Sequence, residues 1–146
     1  MSENIPEKSN KSPKATCLII TPFDAAGSRL KDTIQHALDE VGIRTLRMEN
    51  LHPGAVLANA VTDAIKSADF IVVDVSRQNP NVMYELGYAH ALRKPTIIIM
   101  DEDVNSPLPS DLQGLLYITY NSDNLRDLRN KIMHNTQRYI VSGGEK

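Results

Sequence analysis

The sequence predicts an α/β domain built on a doubly wound, five-stranded parallel sheet of order 2-1-3-4-5, with helices on both faces. Three observations predict it. Strand-like and helical patterns alternate five times along the 146 residues, a length that suits one domain with one core. The connections leave room only for local crossovers, which are right-handed and lay helices on the sheet. The runs Phe70-Ile71-Val72-Val73 and Thr96-Ile97-Ile98-Ile99 are nearly continuous, apolar and rich in β-branched residues, as in parallel strands covered on both faces.

Taken in order, residues 1–14 are polar, aperiodic and hold two prolines, so a disordered tail is expected before a domain over 15–141. Cys17 to Ile20 is the first strand, and Thr21-Pro22-Phe23 ends it because proline has no N–H for the ladder. A loop through Asp24 to Gly27 follows. Ser28 is the expected N-cap of a helix carrying Leu30, Ile34, Ala37, Leu38 and Val41 on one face, closed by Gly42. Ile43 to Met48 alternates apolar and basic residues, the mark of a less buried strand.

After a loop over 49–54, a second helix presents Val56, Leu57, Ala60, Val61, Ala64 and Ile65 on one stripe. Asn79-Pro80 opens a third helix, with Asn79 as N-cap and Pro80 at the first helical position. Val82, Leu86, Ala89 and Leu92 supply its burial. Gly87 inside it costs roughly 1 kcal/mol against alanine, which suggests close approach by the sheet or a ligand. An acidic loop over 101–111 leads to a fifth strand, Leu115 to Tyr120. The last helix covers about 123–139 with Leu125, Leu128, Ile132 and Met133 inward. Residues 142–146 are expected to be flexible.

Composition narrows the function. The formal net charge is −2, without a polybasic block, so neither nucleic acid nor a membrane surface is an expected partner. The single cysteine, Cys17, lies in an apolar run and reads as a buried, inert thiol. No signal-like segment and no run near the ~20 apolar residues of a membrane span occur, which makes the cytoplasm the expected compartment. His36, His52, His90 and His134 are scattered and offer no metal spacing. Neither a glycine-rich phosphate loop nor a GxSxG elbow is present. No metal or cofactor is expected.

The flavodoxin-like (Rossmann-like) order places the switch point between the first and third strands. Ligands bind outside the carboxyl ends of those strands, beside Thr21-Pro22-Phe23 and Asp74-Val75-Ser76. Asp74 ends the third strand, where capping its own loop is the plain alternative to a functional role. Asn81 and Glu85 lie four apart, on one helix face near the end that favours an anion. Glu85 could equally be an ordinary solvated glutamate, and Arg77 either a phosphate contact or a solvated arginine. Two carboxylates at one cleft suit glycosidic cleavage. Glu85 is then the nucleophile and Asp74 the proton-handling or orienting partner.

The stretch from Ala68 to Ile99, ADFIVVDVSRQNPNVMYELGYAHALRKPTIII, resembles the nucleoside 2-deoxyribosyltransferase-like superfamily, including its TIR-like nucleotide-binding branch. Shared features are the strand ending in Asp, the Asn-Pro-Asn-Val helix start, the Glu-Leu-Gly-Tyr-Ala-His-Ala core and the Lys-Pro entry to the next strand. Ile20-Thr21-Pro22-Phe23, Leu108 to Leu112 and Ile118-Thr119-Tyr120 resemble flanking parts. The resemblance implies N-glycosidic chemistry on a nucleoside, nucleotide or NAD-like substrate. Glu85 would attack the anomeric carbon and Asp74 assist at base or sugar. Thr21, Pro22, Phe23, Ser76, Asn79 and Asn81 would contact the substrate. Phe23 stands where the transferases usually have tyrosine, and Asn79 and Asn81 where many carry an aspartate. Those departures keep a non-catalytic nucleotide-binding sensor or signalling module as the alternative. A homo-oligomer is expected, as is common for small doubly wound domains.

Overall fold

The computed structural model describes residues 15–46, 57–104 and 117–142. The expected tail over 1–14, the loop 49–54 with Met48, His52 and Val56, the 105–116 part of the acidic loop and fifth strand, and residues 143–146 lie outside the described residues.

The described elements run β1 (Thr16–Ile20), α1 (Ala25–Glu40), β2 (Arg44–Thr45), α2 (Leu57–Ser67), β3 (Phe70–Asp74), α3 (Pro80–Ala91), β4 (Thr96–Asp101), β5 (Tyr117–Tyr120) and α4 (Leu125–Ser142). The five strands pair in parallel in the order β2-β1-β3-β4-β5, as the alternation of patterns predicts. Register aligns Ile20 with Val73, Asp74 with Ile99 and Asp101 with Tyr120, so the strand ends that face the switch point form one edge.

Strand side chains alternate between faces, and the two core layers follow that period. Cys17, Ile19, Phe70, Val72, Ile97 and Ile99 pack with Leu30, Ile34 and Leu38 of α1 and Leu128 and Ile132 of α4. Leu18, Ile20, Ile71, Val73 and Ile98 pack on the other face with Val61 and Ile65 of α2 and Val82, Leu86 and Ala89 of α3. Fully burying a side chain of this size contributes about 1.5–3 kcal/mol, which is why β3, buried along its whole length, anchors the sheet. Phe70 also stacks on Tyr139 of α4 with ring centroids 4.1 Å apart. Burial pushes the Cys17 thiol far up, in keeping with an inert thiol.

Local chemistry explains the element ends and corrects four expectations. Helix α1 starts at Ala25, not after Ser28: the Asp24 side chain accepts from the Gly27 N–H at 2.7 Å and is the N-cap. Asp24 and Ser28 are both good caps, and the close passage of the chain over Gly27 selects the first. A Cβ on Gly27 would sit 1.9 Å from the Pro22 carbonyl oxygen, so only glycine fits there. Gly42 follows α1 at φ 81°, the left-handed closure its position suggests. Among the described residues, the regular pairing of β2 covers Arg44 and Thr45, and neither Ile43 nor Leu46 of the expected strand belongs to it. Leu92 is not part of the buried stripe: it caps the end of α3 and is 41% exposed, because Arg93 at φ 56° turns the chain out of the helix. Gly87 is exposed, and a Cβ there would meet nothing within 4 Å. No close approach by the sheet explains it.

Candidate functional site

Beyond the carboxyl ends of β1 and β3 the chain forms two clefts, one on each side of the loop between β1 and α1. The first, about 110 Å³, has Leu18 to Ile20 as its floor. Thr21, Pro22 and Phe23 of that loop line it, with Ser28 and Lys31 of α1, Val61 of α2, and Asn79, Asn81, Val82 and Glu85 of the α3 start. Pocket space of this size admits the reacting end of a small molecule, whereas whole-ligand pockets run to roughly 300 Å³ and above.

The α3 wall is set by its cap. Asn79 Oδ1 accepts from the N–H groups of Asn81 at 2.9 Å and Val82 at 3.3 Å. The residue before it, Gln78, sits at φ 48°, a left-handed conformation that costs a non-glycine residue of order 1 kcal/mol and clusters at functional turns. One helical turn past Asn81, Glu85 is half-buried with no hydrogen bond or ion pair among the described residues. Burial pushes its carboxyl above the usual range, since desolvation disfavours the charged form. Phe23 is 80% exposed at the mouth.

The second cleft, about 400 Å³, is bordered by Gly27, Arg29, Asp74, Ser76, Arg77, Asp101 and Tyr120. Asp74 is only 4% exposed. It accepts from the Ser76 N–H at 3.1 Å and from the Ser76 hydroxyl. Ser76 Oγ accepts in turn from the Asp101 N–H at 2.8 Å and lies 3.2 Å from the Tyr120 hydroxyl. With the Ser76 proton on Asp74, Tyr120 is the donor to Ser76. Burial pushes the Asp74 carboxyl up, opposed by its bonds to Ser76. Burial also drives the Tyr120 hydroxyl well above its ordinary value.

Arg77 pairs with Asp24, tying the loop after β3 to the loop after β1. That hydrogen bond, then the Gly27 N–H, holds the Asp24 carboxyl below the usual range. Arg77 is therefore engaged by a carboxylate.

Thr21, Pro22, Phe23, Asn79, Asn81 and Glu85 thus come together at the first cleft, while Asp74 and Ser76 line the second. The expectation of two carboxylates in one cleft is corrected by the period of the strand. Val72 faces α1 and α4 and Val73 faces α2 and α3, so Asp74 turns back to the α1 and α4 side. Glu85 rides on α3, on the opposite face. Sequence reasoning also missed Ser28 and Lys31 in the first cleft. Their i, i+3 spacing on one side of α1 was the available signal. Among the described residues no group of three His, Cys, Asp or Glu side chains is placed to hold a metal ion, and no helix is long and apolar enough to cross a membrane.

The sequence profile of the TIR domain family matches residues 25–133. Among solved structures, the chain is similar to the CMP N-glycosidase of Clostridium botulinum, with TM-score 0.60 and 20% identity over 79% of this chain and 98% of that one. The 2-deoxyribosyltransferase of Bacillus psychrosaccharolyticus gives TM-score 0.58 and 15% identity over 80% and 91%. The TIR domain of a Toll-related receptor from Hydra magnipapillata gives 0.64 and 22% over 89% and 99%. At these identities the likeness is one of fold. No curated protein matches the chain by sequence.

Proposed function

This chain belongs to the TIR domain family, and from that premise we propose that its first cleft cleaves the N-glycosidic bond of a nucleoside, nucleotide or NAD-like substrate. The observation that carries the reading is Glu85: a half-buried carboxyl, pushed up by burial, facing a cleft with no partner among the described residues. Such a group is costly to keep unless a ligand uses it. The fold shared with an N-glycosidase and a deoxyribosyltransferase supports the same chemistry.

In the proposed reaction a Glu85 oxygen attacks the anomeric carbon. The C–N electron pair leaves with the base, which is protonated from solvent unless it departs as a neutral nicotinamide. The oxocarbenium-like charge that develops on the sugar is stabilised by the nearby carboxylate. Water then hydrolyses the glycosyl ester and regenerates Glu85. Thr21, Pro22, Phe23, Asn79 and Asn81 form the binding walls. Asp74 is an orienting residue, which acts with Ser76 on the loop that delivers α3. A homo-oligomer is part of the same reading, and sedimentation measures it.

The test is release of free base from nucleosides, nucleoside monophosphates and NAD. Turnover by the wild type and its loss in Glu85→Ala are expected; a variant with full turnover, or a wild type that processes none of the panel, refutes the assignment. One observation favours a second reading, a nucleotide-binding module without chemistry: Phe23 brings no hydroxyl to the cleft. That module shows saturable ligand-induced thermal shifts without product, and Glu85→Gln keeps its affinity.

A further inference from the structure

The first cleft is lined by a single acid and a single base among the described residues, Glu85 and Lys31. They are not paired with each other. Glu85 is carried by α3 and Lys31 by α1, and these helices pack on opposite faces of the sheet. Lys31 is partly buried and has no hydrogen bond or ion pair among the described residues. Other groups that could receive an anion nearby are already engaged. The N–H groups of Asn81 and Val82 are taken by the Asn79 side chain. Arg77 is held by Asp24. Ser28, one turn before Lys31, lends a hydroxyl to the same wall.

We propose that Lys31, assisted by Ser28, is an anion subsite that binds a phosphate group of the ligand, so that the cleft takes a nucleotide rather than a nucleoside. This deepens the N-glycosidic reading and rests on it for the sugar and the base, not for the phosphate. A ligand with a cation-forming carbon at one end and a phosphate at the other supplies partners to both side chains, which have none among the described residues. A lysine ammonium is a compact point charge suited to phosphate oxygens. The small volume of the cleft places the base at its mouth, where Phe23 is exposed. The phosphate can belong to a nucleoside monophosphate or to the diphosphate bridge of a dinucleotide.

The experiment compares adenosine and cytidine with their 5′-monophosphates, NAD and inorganic phosphate, by calorimetric affinity and by free-base release, on wild type, Lys31→Ala, Lys31→Arg and Glu85→Ala. The wild type is expected to bind phosphate-bearing ligands about ten- to hundredfold more tightly than their nucleosides, the range a charge-assisted hydrogen bond supplies. Lys31→Ala removes that preference without weakening nucleoside binding, Lys31→Arg restores most of it, and added salt erodes it. Monophosphate above NAD, or the reverse, identifies the source of the phosphate. Equal affinity for nucleosides and nucleotides, equal loss of both in a folded Lys31→Ala, or no saturable binding of any phosphate-bearing compound overturns the proposal. If Lys31-dependent nucleotide binding occurs without base release, the subsite stands and the glycosidase reading fails. If base release depends on Glu85 but ignores both the phosphate and Lys31, the reverse holds.

Discussion

Two glycines, one in the first turn of α1 and one inside α3, make opposite predictions. At Gly27 an added Cβ would lie 1.9 Å from the Pro22 carbonyl oxygen, 3.0 Å from its carbon and 3.2 Å from Asp24 Oδ1. The first of these is roughly 1.4 Å short of the ~3.3 Å at which a carbon and a carbonyl oxygen meet comfortably. Pro22 is backbone and cannot rotate aside, so Gly27→Ala must displace the loop after β1. Overpacking of this kind costs about 1–3 kcal/mol, and the severity of the overlap points to the upper part of that range. In a domain of this size each kcal/mol moves the melting temperature by roughly 3–4 °C, so a fall of about 6–12 °C is expected. The same displacement disturbs Thr21, Pro22 and Phe23, so ligand affinity at the first cleft should fall with it.

At Gly87 the added Cβ meets nothing within 4 Å, on an exposed face inside α3. Gly87→Ala should therefore stabilise the protein by about 0.5–1 kcal/mol through helix propensity and a less disordered unfolded chain. Calorimetric and urea unfolding of both variants, with wild type alongside, decides the matter. A Gly27→Ala that melts with wild type, or a Gly87→Ala that melts below it, refutes the steric reasoning. A stabilised Gly87→Ala that has lost ligand would show that the glycine makes room for a bound molecule, the role the sequence suggests and the sheet does not supply.

Two further substitutions follow. Ser76→Ala takes away the hydroxyl shared by Asp74, the Tyr120 hydroxyl and the Asp101 N–H, while Asp74 keeps the backbone N–H of residue 76, and each stranded buried polar group costs about 1–3 kcal/mol; a loss of several degrees in melting temperature is expected, and an unchanged one removes the network's structural role. Glu85→Gln tests the buried carboxyl. Its folded-state value is raised, so the folded protein holds that proton more tightly than the unfolded chain. Below the unfolded value near ~4.3 the two states are alike. As pH rises from there through the raised value, ionisation lowers wild-type stability, and the deficit persists above it. The melting temperature of Glu85→Gln relative to wild type should climb as pH rises from the unfolded value through the raised folded one and then level off. A difference that is flat or falls with pH contradicts the assignment of burial as the cause.

The fold was legible because parallel strands buried on both faces leave a plain trace in sequence. Phe70 to Val73 and Thr96 to Ile99 fit that trace, and the strand order follows from short right-handed crossovers. Asn79 and Pro80 were legible for a local reason: a capping side chain followed by a residue that needs no N–H has few other uses. Topology and cap together were enough to gather Thr21, Pro22, Phe23, Asn79, Asn81 and Glu85 at one cleft. Features decided by packing were not legible. Asp24 and Ser28 cap equally well in sequence, and the close passage of Pro22 over Gly27 decides between them. Which face Asp74 takes depends on the strand's register with its neighbours. Lys31 looks like any solvated lysine on an amphipathic helix until the fold sets it in the same cleft as Glu85.

The separation of the two carboxylates gives the cleft its logic. Asp74 holds Ser76, and Ser76 receives the Asp101 N–H, which clasps the end of β3 to the end of β4. Arg77, next in the chain, reaches Asp24 and clasps the same loop to the start of α1. Both links lie on the α1 and α4 side of the sheet edge. They fix the loop that delivers Asn79, and with it the start of α3. At the first cleft, Glu85 from α3 and Lys31 from α1 have no partners among the described residues. Buried polar groups ordinarily find partners, and the second cleft follows that rule through Asp74, Ser76 and Tyr120. A satisfied network beside an acid and a base without partners among the described residues fits the proposed reading, in which a scaffold holds reactive groups ready for a ligand. On the proposed glycosidase reading, Asp74 acts through position and Glu85 through contact.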